Sequence, residues 1–204
     1  MNQLEQEIER LIKEEQEIVI TRIDADKFIE SEEQEQSIQS IICLTYDKKL
    51  EGLLDICKKI NNQVLIIEVP FHRVFSYPKG LPGFVEDFKA AGVSGFHILD
   101  LPYEEQGQLL VHLLDEDGPC LLQEIAVSSG DRVPSILQTA RGFVWCNDKG
   151  YSESLSVLPG DYKEYYLYAV GAVAMIPVIL DFNVQSKEEL NDYLENANGY
   201  ILNK

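Results

Sequence analysis

The chain is poor in positive charge. Seventeen Lys and Arg stand against 35 Asp and Glu, a formal net charge of −18. Nucleic acids and anionic membrane surfaces are gripped through a positive footprint, so neither is an expected partner. Long apolar runs are missing as well. None approaches the roughly 20 residues of a membrane span, and the opening MNQLEQEIERLIKEEQE is acidic where a secretory leader needs an apolar stretch. Cysteine is sparse: Cys43, Cys57, Cys120 and Cys146 lie far apart with no CxxC. That spacing reads as reduced thiols of a cytoplasmic protein. His72, His97 and His112 have no ligand spacing, so no metal site is expected, and no cofactor either.

What is present supports a core. The chain is 45% hydrophobic, with ten Tyr and eight Phe, too apolar for disorder even at this charge. Its 204 residues suit one domain over 1–204.

Short apolar runs alternate with helix-period segments. Leu4, Ile8, Leu11 and Ile12 form one stripe of an N-terminal helix over 2–17. Strands are expected at Ile18–Thr21, Ser40–Thr45, Val64–Val69, Gly95–Asp100, Cys120–Ile125, Gly142–Cys146, Pro177–Asp181 and Gly199–Leu202. Helices are expected between them, at 28–39, 48–60, 84–91, 104–115, 131–140, 161–174 and 186–197. Ser186 and Glu189 have capping-box spacing for the last. Eight run-like strands separated by helices argue for a parallel sheet. Eight βα units make a closed (βα)8 TIM barrel, with an open doubly wound sheet as the alternative. At this length the barrel is compact, has an N-terminal helix under its base and lacks the last helix.

Several stretches carry a resemblance. Gly80 to Glu105, reading GLPGFVEDFKAAGVSGFHILDLPYEE, contains a DLP-x-EE turn. VPFHRVFSYPKG (69–80), AVSSGDRVPSILQTARGFV (126–144) and 177–202 add to it. Together they resemble the tryptophan synthase alpha chain family. The resemblance implies a (βα)8 barrel that cleaves indole-3-glycerol phosphate to indole and glyceraldehyde 3-phosphate, a carbon–carbon lyase of tryptophan biosynthesis. It also implies docking onto a PLP-dependent beta chain. Such a retro-aldol step needs one acid to protonate the indole carbon and one base for the glycerol hydroxyl. Phosphate recognition needs close backbone N–H groups, hence glycine.

Carried over position by position, the resemblance implies an altered site. With eight strands in register, Cys43 stands where the family has its catalytic Glu. The loop that bears the catalytic Asp shrinks to Tyr46–Lys49, leaving Asp47 as its substitute. A second register sets LIIEVPF against the family's strand-two motif, which makes Glu68 the catalytic Glu and requires one βα unit to be missing. In the phosphate cradle, Gly150 and Ser152 match the turn after strand six, but Glu153 replaces a phosphate-contacting glycine. Like charges 4 Å apart repel by about 4 kcal/mol at an effective dielectric of 20. Asp181-Phe182-Asn183 replaces GFG, and Asn203-Lys204 replaces a final Gly-Ser.

The candidate catalytic residues are therefore Glu68, Asp47, Asp24 and Asp100. The candidate substrate-binding residues are Trp145, Gly150, Ser152 and Phe182. Structural readings stand beside these. Asp24 also reads as a turn residue, Asp100 as a cap for the helix opening at Pro102, Trp145 and Phe182 as core, and His97 as a satisfied interior side chain. Glu68 reads either as a hydrogen-bonded strand-end acid or as a general acid of raised pKa. The expected partners are a small molecule at the barrel mouth and a beta chain or a second copy. For a second copy, the surface would be Tyr162, Tyr165, Tyr166, Leu167 and Tyr168 beside the missing helix. A non-catalytic barrel that binds a partner protein or a non-phosphorylated ligand is the alternative function.

Overall fold

The computed structural model describes residues 1–30, 40–147, 170–182, 186–190 and 193–204. Its strands are β1 (Ile18–Asp24), β2 (Ile41–Thr45), β3 (Val64–Pro70), β4 (Val93–Leu99), β5 (Cys120–Leu121), β6 (Gln123–Ala126), β7 (Val144–Asn147), β8 (Val178–Asp181) and β9 (Gly199–Asn203). All pair in parallel, in the order β5-β4-β3-β2-β1-β9-β8-β7-β6. Only Leu122 separates β5 from β6, and its N–H still donates to the Phe96 carbonyl at 2.8 Å. The two segments are one stave, so eight staves form the expected α/β TIM barrel, with the ring completed through Leu122. The second register, which deletes a βα unit, does not fit this count.

Alternation within each strand divides the core. Leu44, Leu65, Ile67, Phe96 and Leu121 face outward onto helices α3 (Leu50–Cys57) and α5 (Gly80–Ala90), where Leu53, Phe84 and Phe88 are fully buried. The inward set, Ile18, Ile20, Ile41, Ile66, Leu122, Phe143, Ile179 and Ile201, fills the lumen from below. Helix α1 (Gln3–Lys13) closes the floor with Leu4, Ile8 and Leu11. Asn2 caps it: its side-chain oxygen accepts from Glu5 N–H, while Glu5 accepts from Asn2 N–H. The Asn2 amide also donates to the carbonyls of Ser94 and Gly118, at 2.9 Å each, and so pins the helix to the barrel base. Gly95 makes room for this plug, since a Cβ there would lie 3.1 Å from both Leu4 and Ile66.

Some helices differ from expectation. Residues 104–115 hold only a 3-10 turn (Tyr103–Glu105) and α6 (Gly107–Leu110), because bonds such as His112 N–H to Leu109 carbonyl tighten the chain into successive turns. Val111 and Leu114 are consequently exposed. The segment after Ser186 shows 3-10 turns at Lys187–Leu190 and Leu194–Asn196 rather than a described α-helix. Helix α2 (Ala25–Glu30) begins earlier than expected, and the rest of 28–39 lies outside the described residues. So do the aromatic stretch 162–168, Gly150, Ser152 and Glu153. Helices α4 (Phe71–Phe75) and α7 (Val133–Thr139) are also described, and residues 170–173 are helical. All four cysteines are free and buried. Among the described residues, no helix is long and apolar enough to cross a membrane.

Candidate functional site

One inward step above the apolar lumen, at the C-terminal ends of the strands, the side chains turn polar. Strand β1 supplies Arg22, β3 Glu68, β4 His97, β6 Glu124, β7 Trp145 and Asn147, β8 Asp181 and β9 Asn203. In barrels of this class the C-terminal face carries the chemistry.

Arg22 spans this layer. Nη1 donates to Asp181 Oδ1 at 2.8 Å and Nη2 to Asp181 Oδ2, a bidentate pair. Nη2 also reaches Glu68 Oε2 at 3.0 Å, and Nη1 lies 3.4 Å from Asn203 Oδ1. Glu68 Oε2 is shared with His97 Nδ1 at 2.8 Å. On its other side, His97 Nε2 meets Glu124 Oε2 at 2.9 Å, and Glu124 Oε1 accepts from the Asn147 amide. Trp145 lies beneath, fully buried. Its Nε1–H donates to Asp181 Oδ2 at 2.7 Å, and its ring stacks on His97 with centroids 4.3 Å apart. The Arg22 guanidinium sits 5.1 Å from the Trp145 centroid. The result is a continuous chain of contacts in which β9 and β8 both meet β1, and β1 leads through β3, β4 and β6 to β7.

Three carboxylates thus face two cations. Burial alone would push the Glu68 carboxyl up. The His97 hydrogen bond, followed by the charges of His97 and Arg22, overrides it and holds Glu68 below the usual carboxylate range. Burial would likewise lower His97, but Glu124 and Glu68 together push it up to about 9. At neutral pH, Glu68 is ionised with its Oε2 shared by Arg22 and His97, and His97 retains its proton. The raised pKa that a Glu68 general acid requires is absent. Burial is the largest influence on the Cys43 thiol, at the inner face of β2, and raises it well above its ordinary value.

The other candidates are dispersed. Asp24 ends β1 at the rim, where Oδ1 accepts from Asp26 N–H at 2.9 Å and Lys27 N–H at 3.4 Å, capping α2. Asp47 is exposed in the turn after β2. Asp100 is exposed with a left-handed φ of 60°, and the turn beginning at Pro102 has no side-chain cap. Phe182 packs in the outer layer against Tyr193, ring to ring at 5.4 Å, not in the mouth. Of the six candidates among the described residues, Glu68 and Trp145 join the mouth network and Asp24, Asp47, Asp100 and Phe182 do not. Sequence reasoning missed Arg22, Glu124 and Asn147 as site residues. A signal existed, since each is a polar residue on the inward phase of a run-like strand. Among the described residues, no group of three or more His, Cys, Asp or Glu is arranged to hold a metal ion.

Comparison with known proteins places this geometry. Residues 35–203 match the family model described as tryptophan synthase alpha chain. The chain is 31% identical over 157 residues to the tryptophan synthase alpha chain of Lachnospira eligens, covering 72% of this chain and 58% of that one. Against the Clostridium acetobutylicum counterpart it is 29% identical over 155 residues, covering 74% and 57%. The chain therefore matches less than two thirds of the length of these relatives. Among solved structures, the tryptophan synthase alpha subunit of Legionella pneumophila superposes with a TM-score of 0.80 at 17% identity. That match covers 100% of this chain and 86% of the other. The Campylobacter jejuni subunit gives 0.70 at 16% identity, covering 91% and 85%.

Proposed function

The chain belongs to the tryptophan synthase alpha chain family, and on that premise we propose that it is a member in which cleavage of indole-3-glycerol phosphate to indole and glyceraldehyde 3-phosphate is weakened or lost. The observation that carries this reading is Arg22. Its guanidinium lies in the barrel mouth, bonded at once to Glu68 and Asp181.

Three consequences support the reading. First, the retro-aldol step needs a protonated acid and a free base. Glu68 is held ionised by His97 and Arg22, and the acid of the eight-stave register is replaced by the buried Cys43. Second, the resemblance places Asp181 where the family brings bare backbone to the phosphate. Here that carboxylate is buried and committed to Arg22 and Trp145, and its charge repels an anion. Third, an apolar indole ring would have to displace a network in which every cation is paired, leaving buried charges unmatched.

Within the same reading the mouth accepts a non-phosphorylated small molecule more readily than a phosphate ester. The barrel is then retained for binding, with a beta chain or a second copy as the protein partner. Four buried free thiols suit a cytoplasmic setting. The test is direct: incubate the protein with indole-3-glycerol phosphate, with and without a tryptophan synthase beta chain, and follow indole release. In parallel, titrate inorganic phosphate by calorimetry. The expected result is no indole above the blank and no heat of anion binding. Turnover that disappears in Glu68→Gln would overturn the reading and restore Glu68 as a catalytic residue.

A further inference from the structure

Beside the break of the fifth stave at Leu122, between β4 and β6 and the segments that follow them, lies a cavity of about 560 Å3. That size lies within the range of small-molecule pockets. The cavity is separate from the Arg22–Asp181 pair. It shares only its inner wall with the mouth, the His97–Glu124 ion pair.

Two opposite charges line the cavity with bonding capacity to spare. Among the described residues, the Asp100 carboxylate has no hydrogen-bond or ion-pair partner, and the residue is exposed. Among the described residues Arg132 makes two long contacts, Nε to the Ser129 carbonyl at 3.4 Å and an ion pair of Nη1 with Glu104 Oε1 at 3.5 Å. Its second terminal nitrogen has no partner among the described residues. The same lining carries the apolar side chains of Leu101 and Ile136, both largely buried, beside the polar Gln106, Gln123 and Ser129. An acceptor of positive charge, a donor to negative charge and an apolar surface in one concavity match a molecule that carries all three features. A planar guanidinium favours a carboxylate, and an unpaired carboxylate favours an ammonium group.

We propose that this lateral cavity binds a small zwitterion of the α-amino-acid class, with its ammonium on Asp100, its carboxylate on Arg132 and its aliphatic body against Leu101 and Ile136. The inference does not depend on the fate of the lyase reaction. His97 forms part of the cavity wall, so its ring reports occupancy, while the exposed His72 and His112 serve as controls.

The experiment uses three probes with the same branched hydrocarbon: free leucine, 3-methylbutylamine, which lacks the carboxylate, and 4-methylpentanoate, which lacks the amine. Each is titrated by calorimetry and by NMR of the histidine rings. Leucine is expected to bind and to shift the His97 signals alone, with each truncated probe at least tenfold weaker. Asp100→Asn and Arg132→Gln, both surface changes checked for folding by circular dichroism, are each expected to weaken leucine at least tenfold. Arg132→Gln should leave 3-methylbutylamine unaffected. Absence of heat and of a His97 shift at 10 mM leucine overturns the proposal, as does an equal response to all three probes. A response to the amine alone overturns it in favour of a simple cation site.

Discussion

The floor and the mouth of the lumen are built from the same strands, two residues apart, with opposite chemistry. Ile20 is followed on the inner face by Arg22, Ile66 by Glu68, Gly95 by His97, Leu122 by Glu124, Ile179 by Asp181 and Ile201 by Asn203. The floor is held by area removed from water, an additive and non-directional force. The mouth is held by matched charges whose desolvation nearly cancels their attraction, so the intact network adds little net stability while the loss of one member is severe. The contrast also explains why the strands look uniformly apolar. A single polar residue per strand, placed on the inward phase near its end, is enough to convert the lumen.

The sharpest way to break the comparison is Arg22→Met. It leaves Glu68 and Asp181 buried without their cation and is expected to destabilise by about 3–5 kcal/mol in urea unfolding. The triple change Arg22→Met, Glu68→Gln, Asp181→Asn should recover most of that loss. If it does not, packing and not charge holds the mouth. Next in size is Leu4→Ala in the floor, expected to cost about 3 kcal/mol through the cavity it leaves. Its loss should change little between about pH 5 and 9, because the floor around it is apolar apart from the Cys43 and Cys120 thiols, which burial keeps protonated over that range.

The third effect is pH itself. The folded pKa of His97 is raised to about 9. Its stabilisation is therefore complete below about 6.5 and is lost as pH rises through 9, a decline of no more than about 3 kcal/mol. The folded pKa of Glu68 is lowered, so its contribution is complete above about 4.5 and is lost on acidification. Stability should peak between these limits, and His97→Gln should flatten the alkaline side. A wild-type curve unchanged from pH 6 to 10 would contradict the mouth network.

The sequence foretold the staves better than the site. Each run such as Val64-Leu-Ile-Ile is buried on both faces, and no local signal competes with that pattern, so all eight staves stand close to where periodicity puts them. The break at Leu122 was illegible, because it depends on which neighbour each half can reach and not on any residue within it. The 104–115 segment misled because Leu109, Leu110, Leu113 and Leu114 have helical spacing, yet Leu114 ends 79% exposed. At the site, Glu68 was visible as a strand-end acid. Its ionisation state was not, since that is decided by His97, 29 positions away, and by Arg22, 46 positions away. Asp24 and Asp100 are carboxylates at strand ends, as Glu68 is. One serves as a helix cap and the other lines the side cavity, a distinction only the three-dimensional arrangement draws.

The plug beneath the barrel carries a consequence for how the chain assembles. Leu4 is synthesised well before Phe143, Ile179 and Ile201, which form part of its socket. Contacts of such long sequence separation slow the search for the native state. The apolar stripe of α1 therefore finds its full socket only after β9 has been made.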